Sequence, residues 1–255
     1  MLNNAKTLKG YTLDSLDGKV GKVKEFYFDD QYWTIRYLVP STDRGLTGRQ
    51  VLLSPYALHA INRDAKDIAV ALTKRQLAGS PGLDTYTCVS RRFEEPYYGY
   101  LWPQHWGGPY TWDLFPGIVR EPDQRRDAPP EAQAWNRHLH STSDVSGYHV
   151  QATDGEIGHV VDFIIDDETW AIRYLVIDTG QWRSGKKVLV APQWADRVSW
   201  TDAEVYVTLS RAAIQASPEY TDECALTRDY EADLYRHYDQ PGYWAGEPEP
   251  VEHTP

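Results

Sequence analysis

Phe26-Tyr-Phe-Asp-Asp-Gln-Tyr-Trp-Thr-Ile-Arg-Tyr-Leu-Val39 returns 137 residues later as Phe163-Ile-Ile-Asp-Asp-Glu-Thr-Trp-Ala-Ile-Arg-Tyr-Leu-Val176. Working outward, residues 10–98 can be laid on residues 147–235 without an insertion or a deletion. Gly10, Tyr11, Asp17, Gly18, Gly21, Val51, Leu52, Pro55, Ser80 and Pro81 recur as Gly147, Tyr148, Asp154, Gly155, Gly158, Val188, Leu189, Pro192, Ser217 and Pro218. Roughly a third of the aligned positions are identical, which is the mark of duplication. Shared positions report what the fold needs, and a specific function belongs to what is private to one copy or to the joins.

Within each copy the pattern is short strands separated by turn signals. Asp17-Gly18 and Asp154-Gly155 predict two-residue hairpin turns, whose central positions need positive φ. Val20 to Phe28 reads as a strand with a bulge, Asp29-Asp30-Gln31-Tyr32 reverses the chain, and Trp33 opens the next strand. There Ile35, Tyr37 and Val39 share one face and Arg36 and Leu38 the other, as Ile172, Tyr174 and Val176 do against Arg173. Val51 to Pro55 and Val188 to Pro192 are read as a fourth strand closed by proline, and Ile61 with Ile68 to Leu72 (Val198 with Val205 to Leu209) as a continuing meander. One short helix follows in each copy, begun by Thr73 or Ser210 as N-cap and stopped by Ser80-Pro81 or Ser217-Pro218. Five or six short strands with one helical turn predict a small, strongly bent β-barrel, whose closure leaves no strand edge exposed.

Composition narrows the function. At 255 residues, with 41% hydrophobic and 25% charged residues, the chain reads as globular and the repeat divides it into two small domains. The formal charge of −11 argues against nucleic acid and against docking on an anionic membrane. The first residues lack the apolar run of a signal peptide and no stretch reaches the length of a spanning helix, so a cytoplasmic protein without direct membrane insertion is expected. Cys88 and Cys224 are expected to be two thiols.

The Gly-Tyr and Asp-Gly-x-x-Gly signals, the Phe…Asp-Asp…Trp…Ile-Arg-Tyr-Leu-Val strand pair and Val-Leu-x-x-Pro resemble the PRC-barrel family. This is the β-barrel first defined in the cytoplasmic domain of the photosynthetic reaction centre H subunit, and found also in a ribosome maturation factor. The resemblance covers nearly the whole chain as two tandem copies. It implies a protein-docking module that tunes or assembles a partner, with no catalytic set to carry over. Neither an N-terminal membrane helix like that of the H subunit nor an upstream domain of the ribosome-factor type is read in the sequence, so membership of a membrane-embedded reaction centre is not expected.

The private segments carry the candidate surface. Tyr97, Tyr98, Tyr100, Trp102, Trp106, Tyr110, Trp112 and Phe115 crowd a Gly/Pro-rich linker, which reads either as a binding surface or as a strip plastered on the barrels. Each copy is trailed by an echoing arm, Arg91-Arg-Phe-Glu94…Tyr98 and Arg228-Asp-Tyr-Glu231…Tyr235, leading to Trp102 and Trp244. Such an arm can cross the neighbouring barrel, exchange between subunits of a homodimer, or close its own core. Glu121 to Glu131 reads as a flexible join and Gly246 to Pro255 as a disordered tail.

Chemistry is sparse. His138, His140 and Asp144 lack a defined metal-ligand set and read as surface residues, and Asp166-Asp167-Glu168 reads as a turn because Asp29-Asp30-Gln31 repeats it. No phosphate loop, nucleophile elbow or Cys-x-x-Cys motif is present, so no catalytic, cofactor or metal residue is expected. Arg36 and Arg173, in otherwise apolar strands, are expected to pair with Asp29, Asp30 or Glu94, and with Asp166, Asp167 or Glu231. Gly18, Gly155, Trp33 and Trp170 complete the structural set.

The expectation is a mostly β, non-enzymatic interaction or assembly protein without a cofactor. It comprises a first barrel with its arm (1–98), the linker and join (99–144), a second barrel with its arm (145–245) and a tail (246–255), the barrels related by pseudo-twofold symmetry. Two alternatives stand beside it. One is a soluble accessory of a membrane electron-transfer or photosynthetic reaction-centre complex. The other is a small-ligand-binding or hydrolytic protein with the aromatic linker as pocket wall.

Overall fold

The computed structural model describes residues 1–41, 51–79, 139–180, 185–222 and 224–245. It is mostly β, with two curled sheets, one of them a half-barrel. The chain forms two compact units, Met1–Ser146 with Asp162–Tyr174, and Gly147–Val161 with Leu175–Pro255.

The first unit runs through β1 (Leu2–Asn4), α1 (Ala5–Leu8), β2 (Thr12–Ser15), β3 (Gly18–Asp29), β4 (Thr34–Pro40), β5 (Leu58–Asn62), β6 (Asp67–Val70), α2 (Lys74–Gly79), β7 (Leu139–Ser141) and α3 (Thr142–Val145). Its sheet has the order β4-β3-β2-β6-β5, with β7 also on β3. Alternation drives the chain into this form: Leu13, Phe26, Phe28, Ile35, Leu38 and Ile68 are all 2% exposed or less. Each such side chain contributes roughly 1.5–3 kcal/mol on burial. Phe28 is the hub, stacked on Trp33 at 5.4 Å and tilted against Phe163 at 5.7 Å.

The second unit holds β8 (His149–Ala152), the start of β9 (Gly155–Asp166), the end of β10 (Ile172–Asp178), β11 (Lys187–Val190), β12 (Ala195–Ser199), β13 (Glu204–Val207), α4 (Arg211–Ala216) and α5 (Arg228–His237). Here β9 pairs with β8, β10 with β11 and β12 with β13, all antiparallel, while β13 lies parallel to β8.

Four sequence expectations need correction. The strands from Ile61 and Val198 onward do not simply extend a meander, because β6 returns parallel to β2, and β13 to β8. The fourth strand is regular only as β11; its counterpart is reduced to the bridge Leu38↔Leu53, with both N–H groups donating at 2.8 Å. The hairpin turn is Leu16-Asp17, and only Gly18 takes positive φ, +114°, as the first residue of β3; Gly155 does the same at +127°. Asp17 and Asp154 instead accept the first N–H of the short helices, from Lys74 and Arg211, each at 2.7 Å.

The fourth correction concerns the tryptophans. Trp33 and Trp170 end the turns rather than open the strands, with φ of +50° and +57°. A left-handed conformation is costly for a bulky residue. Hydrogen bonds offset it: Ile35 N–H donates to the Trp170 carbonyl at 2.8 Å, and Ile172 N–H to the Trp33 carbonyl at 2.7 Å.

Other local readings stand. Thr73 and Gln76 form a reciprocal capping box, with Gln76 N–H to Thr73 Oγ1 at 3.3 Å and Thr73 N–H to Gln76 Oε1 at 2.9 Å. Ser210 Oγ accepts from Ala213 N–H at 3.2 Å. The bulge expected in Val20–Phe28 is present as register shifts at Val23/Glu25 and Tyr27/Phe28.

Candidate interaction site

The short segments ahead of each copy define the first unit's architecture. Leu2–Asn4 pairs antiparallel with Ile164–Asp166 of β9, and Leu139–Ser141 with Tyr27–Asp29 of β3. Each segment therefore extends the sheet of the copy to which it does not belong in sequence. An acid receives the helical turn that follows. Asp162 Oδ1 accepts the N–H groups of Lys6 (3.1 Å) and Phe163 (2.8 Å). Glu25, at the equivalent position, accepts from Thr142 Oγ1 (2.7 Å), Lys9 Nζ (2.7 Å), Phe26 N–H (2.9 Å) and Ser143 Oγ. Burial raises the Glu25 pKa, but the bonds from Lys9, Ser143 and Thr142 outweigh it and hold the carboxyl below its ordinary range.

The strand arginines find in-copy carboxylates. Arg36 Nη2 lies 3.2 Å from Asp29 Oδ2; Arg173 reaches Asp166 Oδ2 with Nη2 at 2.8 Å and Nε at 3.2 Å. Against a burial that raises it, Arg173, Thr169 and the Glu168 N–H pull Asp166 below the ordinary carboxylate range. His140, on β7, lies 3.4 Å from Asp30 and tilts against Phe28 at 6.2 Å. Its equivalent Asn3 donates to Asp167 at 3.0 Å.

The second arm is the part of the expected surface that the structure describes. Thr227 caps α5 by accepting from Tyr230 N–H at 3.3 Å, and the arm begins as a helix of ten residues. It packs on its own unit: Tyr235 meets Trp194 edge-on at 5.1 Å, and its hydroxyl accepts from Gln193 Nε2 at 2.9 Å. Tyr238 tilts against Trp194 at 4.7 Å. Burial pushes the Tyr230 and Tyr238 hydroxyls up to about 12, so both stay protonated.

Beyond the helix the chain folds back to complete a corner of rings around a charge. Trp244 stands edge-on to Tyr235 at 5.0 Å and to Tyr243 at 4.9 Å. The Arg228 guanidinium carbon lies 4.4 Å from the Trp244 ring centre and 5.1 Å from that of Tyr243. Glu231, 3% exposed, receives Arg228 Nη1 at 3.3 Å and the Tyr243 hydroxyl at 3.0 Å. Sequence reasoning marked the arm but not this corner, and Trp194 was missed altogether; the readable signal was an arginine three residues before a glutamate in an aromatic helix.

Tyr97, Tyr98, Tyr100, Trp102, Trp106, Tyr110, Trp112 and Phe115 lie outside the described residues, as do Cys88, Arg91, Glu94, His138, the join Glu121 to Glu131, Ser80-Pro81 and the tail from Gly246. Among the described residues no group of three or more His, Cys, Asp or Glu side chains is placed to hold a metal ion. Among them, too, no helix is long and apolar enough to cross a membrane.

Residues 138–209 match the family model described as PRC-barrel domain. That match takes in the second copy of the repeat only as far as Leu209, and the domain is a general one often involved in protein interactions. No curated protein matches the chain.

Proposed function

We propose that the chain is a non-enzymatic interaction or assembly protein built from two tandem PRC-barrels, with residues 1–98 and 145–245 related by pseudo-twofold symmetry. The carrying observation is the PRC-barrel match over residues 138–209. The first copy supports the tandem reading by its element order: strands Thr12–Ser15, Gly18–Asp29, Thr34–Pro40, Leu58–Asn62 and Asp67–Val70 have counterparts at His149–Ala152, Gly155–Asp166, Ile172–Asp178, Ala195–Ser199 and Glu204–Val207. The partner is a protein, and the aromatic linker with the arms forms the docking surface, since Tyr and Trp supply large contact area at low entropy cost.

The test is an affinity pull-down from the native host with the wild-type chain and a Trp102→Ala, Trp106→Ala, Trp112→Ala variant that keeps the wild-type melting curve. The expected outcome is a defined partner captured by the wild type and lost by the variant. An unchanged partner list would move recognition from the linker to the barrels. Small molecules bound in place of any protein would overturn the interaction reading.

A further inference from the structure

Resting on the interaction reading, we infer that the corner formed by Arg228, Glu231, Tyr235, Tyr243 and Trp244 is a guanidinium-recognition site whose ligand is an arginine side chain of a protein partner. Arg228 is its resident stand-in. The chemistry follows from the three kinds of contact that the resident makes.

A delocalised planar cation is attracted to the faces of aromatic rings within about 6 Å of the centroid, and Arg228 meets two such rings, Trp244 and Tyr243, at 4.4 and 5.1 Å. Tyr235 stands edge-on behind Trp244 at 5.0 Å and fixes the plane of the indole. The floor is a carboxylate that needs a cation: Glu231 is 3% exposed, and a buried carboxylate without a compensating charge is costly. One Glu231 oxygen accepts from the Tyr243 hydroxyl at 3.0 Å and the other faces Arg228 at 3.3 Å.

The resident is replaceable because of where it sits. The Arg228 side chain is 53% exposed while its counter-charge is 4% exposed, so the cation is held at the mouth by a long flexible stem. Swinging that stem into water needs no movement of the backbone. An incoming guanidinium would make the same ring and carboxylate contacts, and Arg228 would recover its side-chain entropy, which offsets part of the cost of exchange. A quaternary ammonium ion satisfies the rings but has no N–H for Glu231, and this selects arginine over quaternary ammonium groups. The formal charge of −11 over the chain adds attraction for a cationic partner segment.

The experiment is a titration of the full chain with N-acetyl-arginine amide, followed on the tryptophan indole N–H resonances, in wild type, Arg228→Ala and Arg228→Ala/Trp244→Ala. Expected are saturable binding to Arg228→Ala at least tenfold tighter than to wild type, loss of that binding in the double variant, and weaker binding of tetramethylammonium. Equal affinity in wild type and Arg228→Ala, or undiminished binding in the double variant, would overturn the site. If Arg228→Ala does not fold, Arg228→Gln takes its place, and wild type against Trp244→Ala decides the same question.

Free arginine binding more tightly than a capped arginine tripeptide would overturn the protein source of the ligand. The opposite order supports it. A failed titration beside an intact pull-down would remove this site alone, whereas a failed pull-down beside an intact titration would remove the linker surface alone.

Discussion

The two long hairpins of this chain, β3–β4 and β9–β10, are near-copies in sequence, yet they hold their docked segments by different means. At the first, Glu25 takes the Phe26 N–H of its own strand, and the docked segments supply side-chain donors from Lys9, Thr142 and Ser143. At the second, Asp162 is one methylene shorter, is 6% exposed, and takes the main-chain N–H groups of Lys6 and Phe163. Glu25 has the charged partner, Lys9, but the energetics point the other way. Side-chain donors can turn toward water when their acceptor is lost. Main-chain donors fixed in a helical turn and a strand cannot, and a buried donor left unpaired costs its full desolvation. The kind of donor at an equivalent position, side chain or main chain, therefore decides its worth.

What the hairpins share should be the most fragile. Gly21 and Gly158 have φ of +142° and +148°, and a Cβ there would lie 2.2 Å from the Ser41 carbonyl oxygen and 2.0 Å from that of Asp178. Neither obstacle is a flexible side-chain end. Gly158→Ala and Gly21→Ala should each destabilise the protein by on the order of 3 kcal/mol in urea unfolding. A loss below about 1 kcal/mol in either would mean that its hairpin opens there at little cost, and would break the equivalence of the two.

These glycines show what a sequence can yield. Each is fixed by local backbone need, so it recurs in both copies and stands out on alignment. The Arg36–Asp29 and Arg173–Asp166 pairs were legible for the same reason, because both members lie on one hairpin. Docking of Leu2–Asn4 and Leu139–Ser141 was not. The two segments share only their leucine, each strand is three residues long, and the partners lie more than a hundred residues away in sequence. The parallel return of β6 beside β2 was hidden too, since hydrophobic alternation reports a strand's faces but not its neighbours. Trp33 and Trp170 misled because bulky residues rarely take positive φ, and the bonds that make it tolerable come from the other hairpin. The cation corner was half legible: Arg228 and Glu231 were visible as an echo, but the chain's return past Pro241 that sets Trp244 over the guanidinium was not.

The comparison sharpens with the acids themselves. Asp162→Ala strands the Lys6 and Phe163 N–H groups and should cost about 2–3 kcal/mol, whereas Glu25→Ala strands the Phe26 N–H alone and should cost about 1–2 kcal/mol. Hydrogen exchange locates the damage: Asp162→Ala should release the amides paired between β1 and β9 and leave those between β7 and β3 protected. Equal losses from both variants would mean that side-chain and main-chain donors count alike.

The smallest effect separates charge from shape at the first hairpin. The Glu25 carboxyl has its pKa lowered in the folded protein, so its stabilising contribution is complete above the unfolded glutamate pKa of about 4.3 and is lost as pH falls through the lower folded value. Asp166 behaves alike, held down chiefly by Arg173. The wild type should therefore lose stability on acidification below about pH 4. Glu25→Gln keeps an acceptor for Thr142 and Ser143 but removes the charge facing Lys9. It should start less stable at neutral pH by under about 1 kcal/mol and lose less on acidification than the wild type does. Denaturant midpoints at pH 7 and pH 3 measure both slopes. An unchanged slope in the variant would assign the acid sensitivity to Asp166 and leave Glu25 as a hydrogen-bond acceptor whose charge does not matter.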